Sequence, residues 1–254
     1  MLHMDGTDAS TTFTDSSYAG ANSPHTFTAA AAAQIDTAQS KFGGASTLFT
    51  GAASYLTSAD SADWLFGSGN FAIDSWVRWA SLPGSGDLNM LALQRVDANN
   101  RWRFYLYNNA GTYEWRFRHY PNNATPDISM IVNTATLAAN TWYHIEIDRS
   151  GNSWYIFQDG TQCGSTYTDT NDIHDFAATL DLGYETAVAS FSGWMDEFRI
   201  TKGIARHTAN FTPPTRAYSY FGGKFLGVSN AEGTESIGKI MGVDQTNIRR
   251  VIGV

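Results

Sequence analysis

Short runs in which apolar and polar residues alternate recur along the chain, separated by clusters of Gly, Asn, Asp, Ser and Pro, and no segment holds a helical period for long. Alternation sends successive side chains to opposite faces of a strand, so each run reads as a strand with one face for a core. Phe71–Trp79 is such a run, bounded by Gly67-Ser68-Gly69-Asn70 and by Leu82-Pro83-Gly84-Ser85-Gly86. Residues 101–107 put Trp102, Phe104 and Leu106 on one side and Arg101, Arg103, Tyr105 and Tyr107 on the other. Asn108-Asn109-Ala110-Gly111 turns the chain, and residues 113–120 return with Tyr113, Trp115, Phe117 and His119 opposite Glu114, Arg116, Arg118 and Tyr120, which predicts a hairpin. Residues 142–148 set Tyr143, Ile145 and Ile147 against Trp142, His144, Glu146 and Asp148; a further run, 154–158, ends at the turn dipeptide Asp159-Gly160. The last strand is 194–200, followed by an expected helical turn over 202–206 and by Pro213-Pro214, which close the domain. Strands and turns at this spacing predict an all-β, two-sheet antiparallel sandwich.

Composition sharpens this picture. The 254 residues suit one large sandwich with an appendage. Trp 8, Tyr 12 and Phe 15 within a Gly-, Ser-, Thr-, Asn- and Asp-rich background favour strands and turns over helices. A net charge of −8 works against nucleic acid, anionic membrane and polyanions in general as partners. The single cysteine, Cys163, rules out a disulfide within the chain and has no basic neighbour in sequence, so it reads as an inert thiol. The opening Met1-Leu2-His3-Met4-Asp5-Gly6 has neither a basic nor an apolar leader region, and no apolar run approaches the roughly 20 residues that span a bilayer. The expectation is synthesis in a cytoplasm, with no signal peptide and no membrane insertion.

Beyond Tyr220 the texture changes. A basic–apolar–apolar–Gly–Val motif appears as Lys224-Phe225-Leu226-Gly227-Val228, Lys239-Ile240-Met241-Gly242-Val243 and Arg250-Val251-Ile252-Gly253-Val254. Each copy is too short to bury its own apolar face and needs a neighbour or partner. The expected organisation is therefore a sandwich over 1–220 and a short β-repeat tail over 221–254, attaching through Phe225, Leu226, Ile240, Met241, Val243, Val251 and Ile252.

Several phrases in order resemble the laminin-G-like branch of the concanavalin-A-like jelly rolls. They are Asp15-Ser16-Ser17; Phe42-Gly43-Gly44-Ala45-Ser46-Thr47-Leu48-Phe49 leading to Ala53-Ser54-Tyr55-Leu56; the run from Phe71 to Val77; Trp142-Tyr143-His144-Ile145 with Asp159-Gly160; and Gly193-Trp194-Met195-Asp196-Glu197-Phe198-Arg199-Ile200. The resemblance covers about residues 1–218 and implies a jelly-roll sandwich. The opening Leu2-His3-Met4-Asp5-Gly6 and the closing Arg206-His207-Thr208-Ala209-Asn210-Phe211-Thr212-Pro213-Pro214 are similar to laminin-G-like proteins of tailed bacteriophages, which implies a virion component made in the host cytoplasm. It also implies a calcium ion where the early acidic turn meets the last strand, held by Asp15 and Asp196 with Asp5; the alternative is that these acids bond to backbone.

Candidate chemistry is sparse. His144-x-Glu146-x-Asp148 puts two carboxylates on one strand face, roughly 6–7 Å apart at the α-carbons, and glycosidases need such a pair. The Glu-x-Asp-x-Glu triplet of the laminarinase-like hydrolases on this fold is missing its third carboxylate here, so the pair reads as a solvent-facing polar stripe and the chain as no enzyme. Asp196 and Glu197, as strand neighbours, are expected on opposite faces, with Asp196 beside Trp194, Phe198 and Ile200. The acidic stretch 169–175 lacks EF-hand spacing and reads as a solvated loop. Sugar rings stack on exposed aromatic faces, and Tyr105, Tyr107, Trp115, Arg116, Arg118 and Tyr120 in the hairpin are the candidate glycan-binding surface. The functional expectation is a virion surface protein, decoration or tail component, that displays a lectin-like sandwich and assembles through its tail with other virion proteins or as a homo-oligomer, a trimer by analogy with phage appendages. The alternatives are a cementing protein that binds no sugar and a polysaccharide hydrolase using Glu146 and Asp148.

Overall fold

The computed structural model describes residues 1–17, 23–186 and 188–218, together with the paired stretches 239–240 and 243–244. It divides into two compact units, Met1–Ala217 and Tyr218–Val254. The strands of the first unit are β1 (Thr12–Thr14), β2 (Thr26–Ala30), β3 (Gln34–Asp36), β4 (Ser46–Thr50), β5 (Tyr55–Ser58) and β6 (Phe71–Trp79). There follow β7 (Leu88–Arg95), β8 (Asn100–Asn109), β9 (Thr112–Pro121), β10 (Ile128–Asn133), β11 (Trp142–Ser150) and β12 (Ser153–Gln158). The short β13 (Thr161–Gln162), β14 (Tyr167–Thr168), β15 (Leu180–Leu182), β16 (Tyr184–Glu185) and β17 (Ala189–Ser190) lead to β18 (Ser192–Lys202). In the second unit, β19 (Lys239–Ile240) and β20 (Val243–Asp244) pair as a two-residue hairpin. Among the described residues the one helical element is a 3-10 turn, Ala62–Trp64; the helical turn expected over 202–206 does not form.

Two antiparallel sheets make the sandwich. The first runs β1-β2-β5-β15-β7-β8-β9-β10, and the second runs β13-β12-β11-β6-β18-β4-β3, with β14 added to β12. The predicted hairpin is β8 and β9, in register from Asn100↔Pro121 to Asn109↔Thr112. Its inward residues Trp102, Phe104, Leu106, Trp115 and Phe117 meet Phe71, Ile73, Val77, Trp79, Ile145, Ile147 and Trp154 of the other sheet in one aromatic-rich core. Ring pairs such as Trp79–Trp115 (5.8 Å between centroids) and Phe117–Trp154 (5.3 Å, tilted) cross that layer, where burial of each large ring contributes roughly 1.5–3 kcal/mol.

Register slips in β7 between Met90 and Ala92, and again in β18, where it bears on the candidate site. The register of β18 against β6 slips between Asp196 and Arg199, and Glu197 sits at φ 52°, in the left-handed region that strains any residue with a Cβ. The bulge corrects the expected parity: Phe198 packs in the core, Arg199 turns outward to Asp74, and both Asp196 and Glu197 are fully buried.

Candidate functional site

The polar face of β11 is not a solvent face. His144, Glu146 and Asp148 are fully buried, as is Asp74 of β6. The segment that follows β18, residues 203–212, lies across them as a strap. Asp148 Oδ1 accepts the backbone N–H groups of Arg206 (2.6 Å) and His207 (3.2 Å), while His207 Nδ1 meets Glu146 Oε1 at 2.6 Å. Phe211 stacks on His207 at 3.5 Å between ring centroids. Burial pushes Glu146 up to about 8 and Asp148 up to about 9, and the two carboxyls hydrogen-bond to each other. Glu146 Oε2 and Asp148 Oδ2 have no other partner, and protons kept on the pair at neutral pH spare these oxygens an unpaired buried charge. Burial would raise Asp74 too, but Arg199, with Nε at 3.0 Å and Nη2 at 3.2 Å, holds that carboxyl well below its ordinary range. The triads Asp74–His144–Glu146 and Glu146–Asp148–His207 have metal-ligand spacing, yet Arg199 and Arg206 beside them and the protons that burial keeps on Glu146 and Asp148 disfavour a cation there. Covered by the strap, the pair opens on no groove for a sugar chain, which removes the geometric basis of a hydrolase built on Glu146 and Asp148.

Of the three acids expected to share an ion, Asp15 stands apart from Asp5 and Asp196. Asp15 is saturated by the terminal ammonium (2.8 Å), the N–H and hydroxyl of Ser17 and the N–H of His25 (2.7 Å). Burial works to raise its carboxyl, but the ammonium and these donors hold it below the ordinary range. Asp196 accepts the N–H groups of Lys41 (2.8 Å) and Phe42 (3.0 Å) on Oδ2, while its buried Oδ1 has no partner. Burial, with Glu197 and Asp5 adding to it, pushes Asp196 up to about 7. Asp5 is likewise raised, by burial first and then by Glu197, and packs so closely on Gly43 that a Cβ there would lie 2.0 Å from Asp5 Oδ1. Asp5 and Asp196 therefore lie near enough to Glu197 for it to raise both their carboxyls, with one orphan oxygen on Asp196, but the oxygens of the three are not gathered at metal-ligand spacing, and Asp15 drops out of the group. Sequence parity hid Glu197, because the bulge turns it inward, where its Oε1 meets His3 Nδ1 at 2.8 Å.

The candidate glycan surface is split by burial. Trp115 lies on the inner face of β9 with no exposure, and its Nε1–H donates to Gln158 at 3.2 Å, so it is corrected from ligand contact to core. The other five residues do share the outer face of the first sheet. Tyr105 and Tyr120 are buried there beneath arginines: Arg103 lies over Tyr105 (4.8 Å) and Arg101 over Tyr120 (4.7 Å). Tyr107, Arg116 and Arg118 remain partly exposed, with Arg116 over the Tyr107 ring at 3.8 Å. A shallow depression of about 460 Å³ opens next to them at the edge of β10, lined by Ile131 and Tyr167 among others, and Ile131 pairs with Arg116. Arg95, Arg101 and Arg103, which were not singled out with the binding group, converge on the buried carboxylate of Glu185 from the β16–β17 hairpin.

The remaining candidates are quickly placed. Cys163 is buried and burial raises its thiol further, so no thiolate chemistry is available to it. Stretch 169–175 is tied down rather than free, with Arg149 Nη2 donating to the Asn171 carbonyl at 3.0 Å and Ile173 fully buried. Of the attachment residues, Phe225, Leu226, Met241, Val251 and Ile252 lie outside the described residues, while Ile240 and Val243 are backbone register partners in the small hairpin.

This chain belongs to the concanavalin A-like lectin/glucanases superfamily: the laminin-G-type family so described matches residues 50–207. Among curated proteins no sequence matches. Solved structures share the fold at low identity. The binding domain of botulinum neurotoxin serotype G is 15% identical with a TM-score of 0.53 over 71% of this chain and 44% of that one. The enzymatically active domain of tailspike protein 2 from bacteriophage CBA120 is 11% identical with a TM-score of 0.56 over 73% of this chain and 29% of that one. The chain thus spans less than half the length of either. The fold is of the lectin-like, carbohydrate-binding jelly-roll type.

Proposed function

We propose that this chain is a non-enzymatic surface protein of a tailed-phage virion, whose sandwich adheres to bacterial-surface glycans and whose residues 221–254 attach it to other virion proteins or to sister subunits. The observation that carries the adhesive part is the contrast between the two outer faces. The carboxylate pair of the second sheet is sealed under the strap, whereas the first sheet presents Tyr107 stacked with Arg116, and Arg118 beside them, to solvent. The virion part is supported by the phage-like opening and closing phrases and by a fold that a phage tailspike shares. Calcium belongs to the proposal at Asp5, Asp196 and Glu197, where it would draw together and neutralise three mutually repelling carboxyls and fix the loop after β3 against β18. A closed homo-oligomer, a trimer as in other phage appendages, is the proposed assembly.

The test is retention of the purified chain on host cells and on their extracted polysaccharide, with reducing sugar measured in parallel. Retention without sugar release is expected. Sugar release that disappears in Glu146→Gln/Asp148→Asn overturns the non-enzymatic reading, and binding to particles with no polysaccharide retention replaces adhesion with cementing.

A further inference from the structure

The charge on the outer face of the first sheet is at odds with the charge of the chain as a whole. Arg95, Arg101, Arg103, Arg116 and Arg118 gather on three adjacent strands, against Glu185 and Glu114 within the patch. Asp181 at the β15 margin is bonded to Thr57 (2.6 Å) and its carboxyl is raised by burial, and Asp97 caps the β7–β8 turn through Asn99 and Asn100. The patch therefore carries a surplus of positive charge in a chain of net charge −8. At physiological salt the screening length is about 8 Å, so a ligand on this face feels the arginines and little of the acidic remainder. An expectation drawn from net charge does not hold at this distance.

The arrangement within the patch is itself unbalanced. Arg103 and Arg118 are direct cross-strand partners, and like charges placed opposite one another disfavour a sheet. Arg103 is compensated by Glu185, 3.0 Å from its Nη1, but among the described residues Arg118 has no carboxylate; its Nη1 shares the Tyr120 hydroxyl (3.5 Å) with Arg103 Nη2 (3.1 Å). The buried Nε–H groups of Arg101, Arg103 and Arg118 have no acceptor. Although burial would raise it, the Tyr120 hydroxyl is drawn below its ordinary range by Arg118 and Arg103. Donors outnumber acceptors here, and a guanidinium pair lacking one anion is the geometry that a carboxylate or sulfate, with two or more acceptor oxygens, completes.

We infer that the outer face of β8 and β9 recognises acidic polysaccharide, with Arg118 and Arg103 holding the acid group of a sugar and Arg116 on Tyr107 forming the shelf for its ring. This rests on the glycan-binding reading above and names the class of glycan. Duplex nucleic acid is a poorer fit, because phosphate tracking needs a basic stripe along many contacts and this patch is confined to neighbouring residues of one hairpin.

Calorimetric titration of the full chain tests it with four probes: polygalacturonate, dextran sulfate, neutral dextran and a duplex DNA. At least one of the two acidic polysaccharides should bind, more weakly as salt rises, and which one separates carboxylate from sulfate recognition. Arg118→Gln should lose about tenfold or more in that affinity, while Lys202→Gln on the second sheet should bind as wild type. Arg118→Gln should also melt no lower than wild type, since it removes the like-charge opposition, and the acidic probe should raise the melting temperature of wild type but not of the variant. Dextran binding that equals acidic binding and survives Arg118→Gln overturns the acidic class and leaves glycan binding standing. Binding of none of the three polysaccharides overturns the class, and the cell-retention assay then decides glycan binding independently. DNA binding stronger than either acidic polysaccharide, lost in Arg118→Gln, overturns it in favour of nucleic acid.

Discussion

Two buried carboxyls that hold their protons through neutral pH make this protein's stability respond to alkali. Glu146 and Asp148 have folded-state values of about 8 and about 9, against about 4 when exposed in the unfolded chain. Between those limits the folded state binds more protons than the unfolded state, so their contribution falls as pH rises from about 4 to about 9. Denaturant unfolding at pH 5, 7 and 9 should show wild type losing on the order of a few kcal/mol more than Glu146→Gln/Asp148→Asn across that range. Amide oxygens at both positions still accept the strap's N–H groups, so the double variant should fold; parallel pH profiles would show that neither carboxyl is raised by burial. At the acidic group, calcium should raise the melting temperature by several degrees, a chelator should reverse it, and Asp5→Asn should respond to neither. A wild type indifferent to chelator removes the ion from the proposal. Asp15→Ala, by contrast, should leave any calcium response intact, because Asp15 is engaged by the terminal ammonium.

At the scale of elements, the strap over 203–212 decides what the second sheet can do. It is held by Asp148 and Glu146 at one end and by Gly160 at the other, where Phe211 N–H donates to the Gly160 carbonyl at 2.9 Å. Gly160 sits at φ 73° and a Cβ there would lie 2.0 Å from the Phe211 carbonyl oxygen. Gly160→Ala should therefore destabilise the chain by about 1–3 kcal/mol and loosen the strap. Hydrogen exchange should report faster opening at residues 206–211 than at β8; equal protection in variant and wild type would mean that the turn, and not the strap contact, sets the glycine. The alternation of β11 identified which residues share a face but not that the face is covered, since the covering segment lies some sixty residues further along the chain.

For the whole molecule, the division into Met1–Ala217 and Tyr218–Val254 frames the tail prediction. A chain ending at Tyr220 should remain a folded monomer with near-native β content by circular dichroism while losing self-assembly or particle binding, measured by light scattering and co-sedimentation. The truncated chain assembling like the full one would transfer attachment to the sandwich. The reason to expect a partner is the apolar character of the repeats, since segments this short cannot sequester Phe225, Leu226, Val251 and Ile252 by themselves.

The alternation of β8, β9 and β11 and the turn residues between strands were enough to specify an antiparallel sandwich, because strand periodicity and turn chemistry are local properties. So was the inward face of the hairpin, Trp102, Phe104 and Leu106 with Trp115 and Phe117, although treating Trp115 as a ligand contact set aside its own parity. Three things were left to the tertiary structure. The bulge at Asp196–Arg199 reversed the parity of β18, and a register slip has no signature in a run of ordinary strand residues. The strap buried Glu146 and Asp148 and so changed a candidate catalytic pair into the anchor that holds the strap. Folding also concentrated five arginines on one outer face of an acidic chain, because a charge count sums over residues whereas a ligand meets only those that the sheet places side by side.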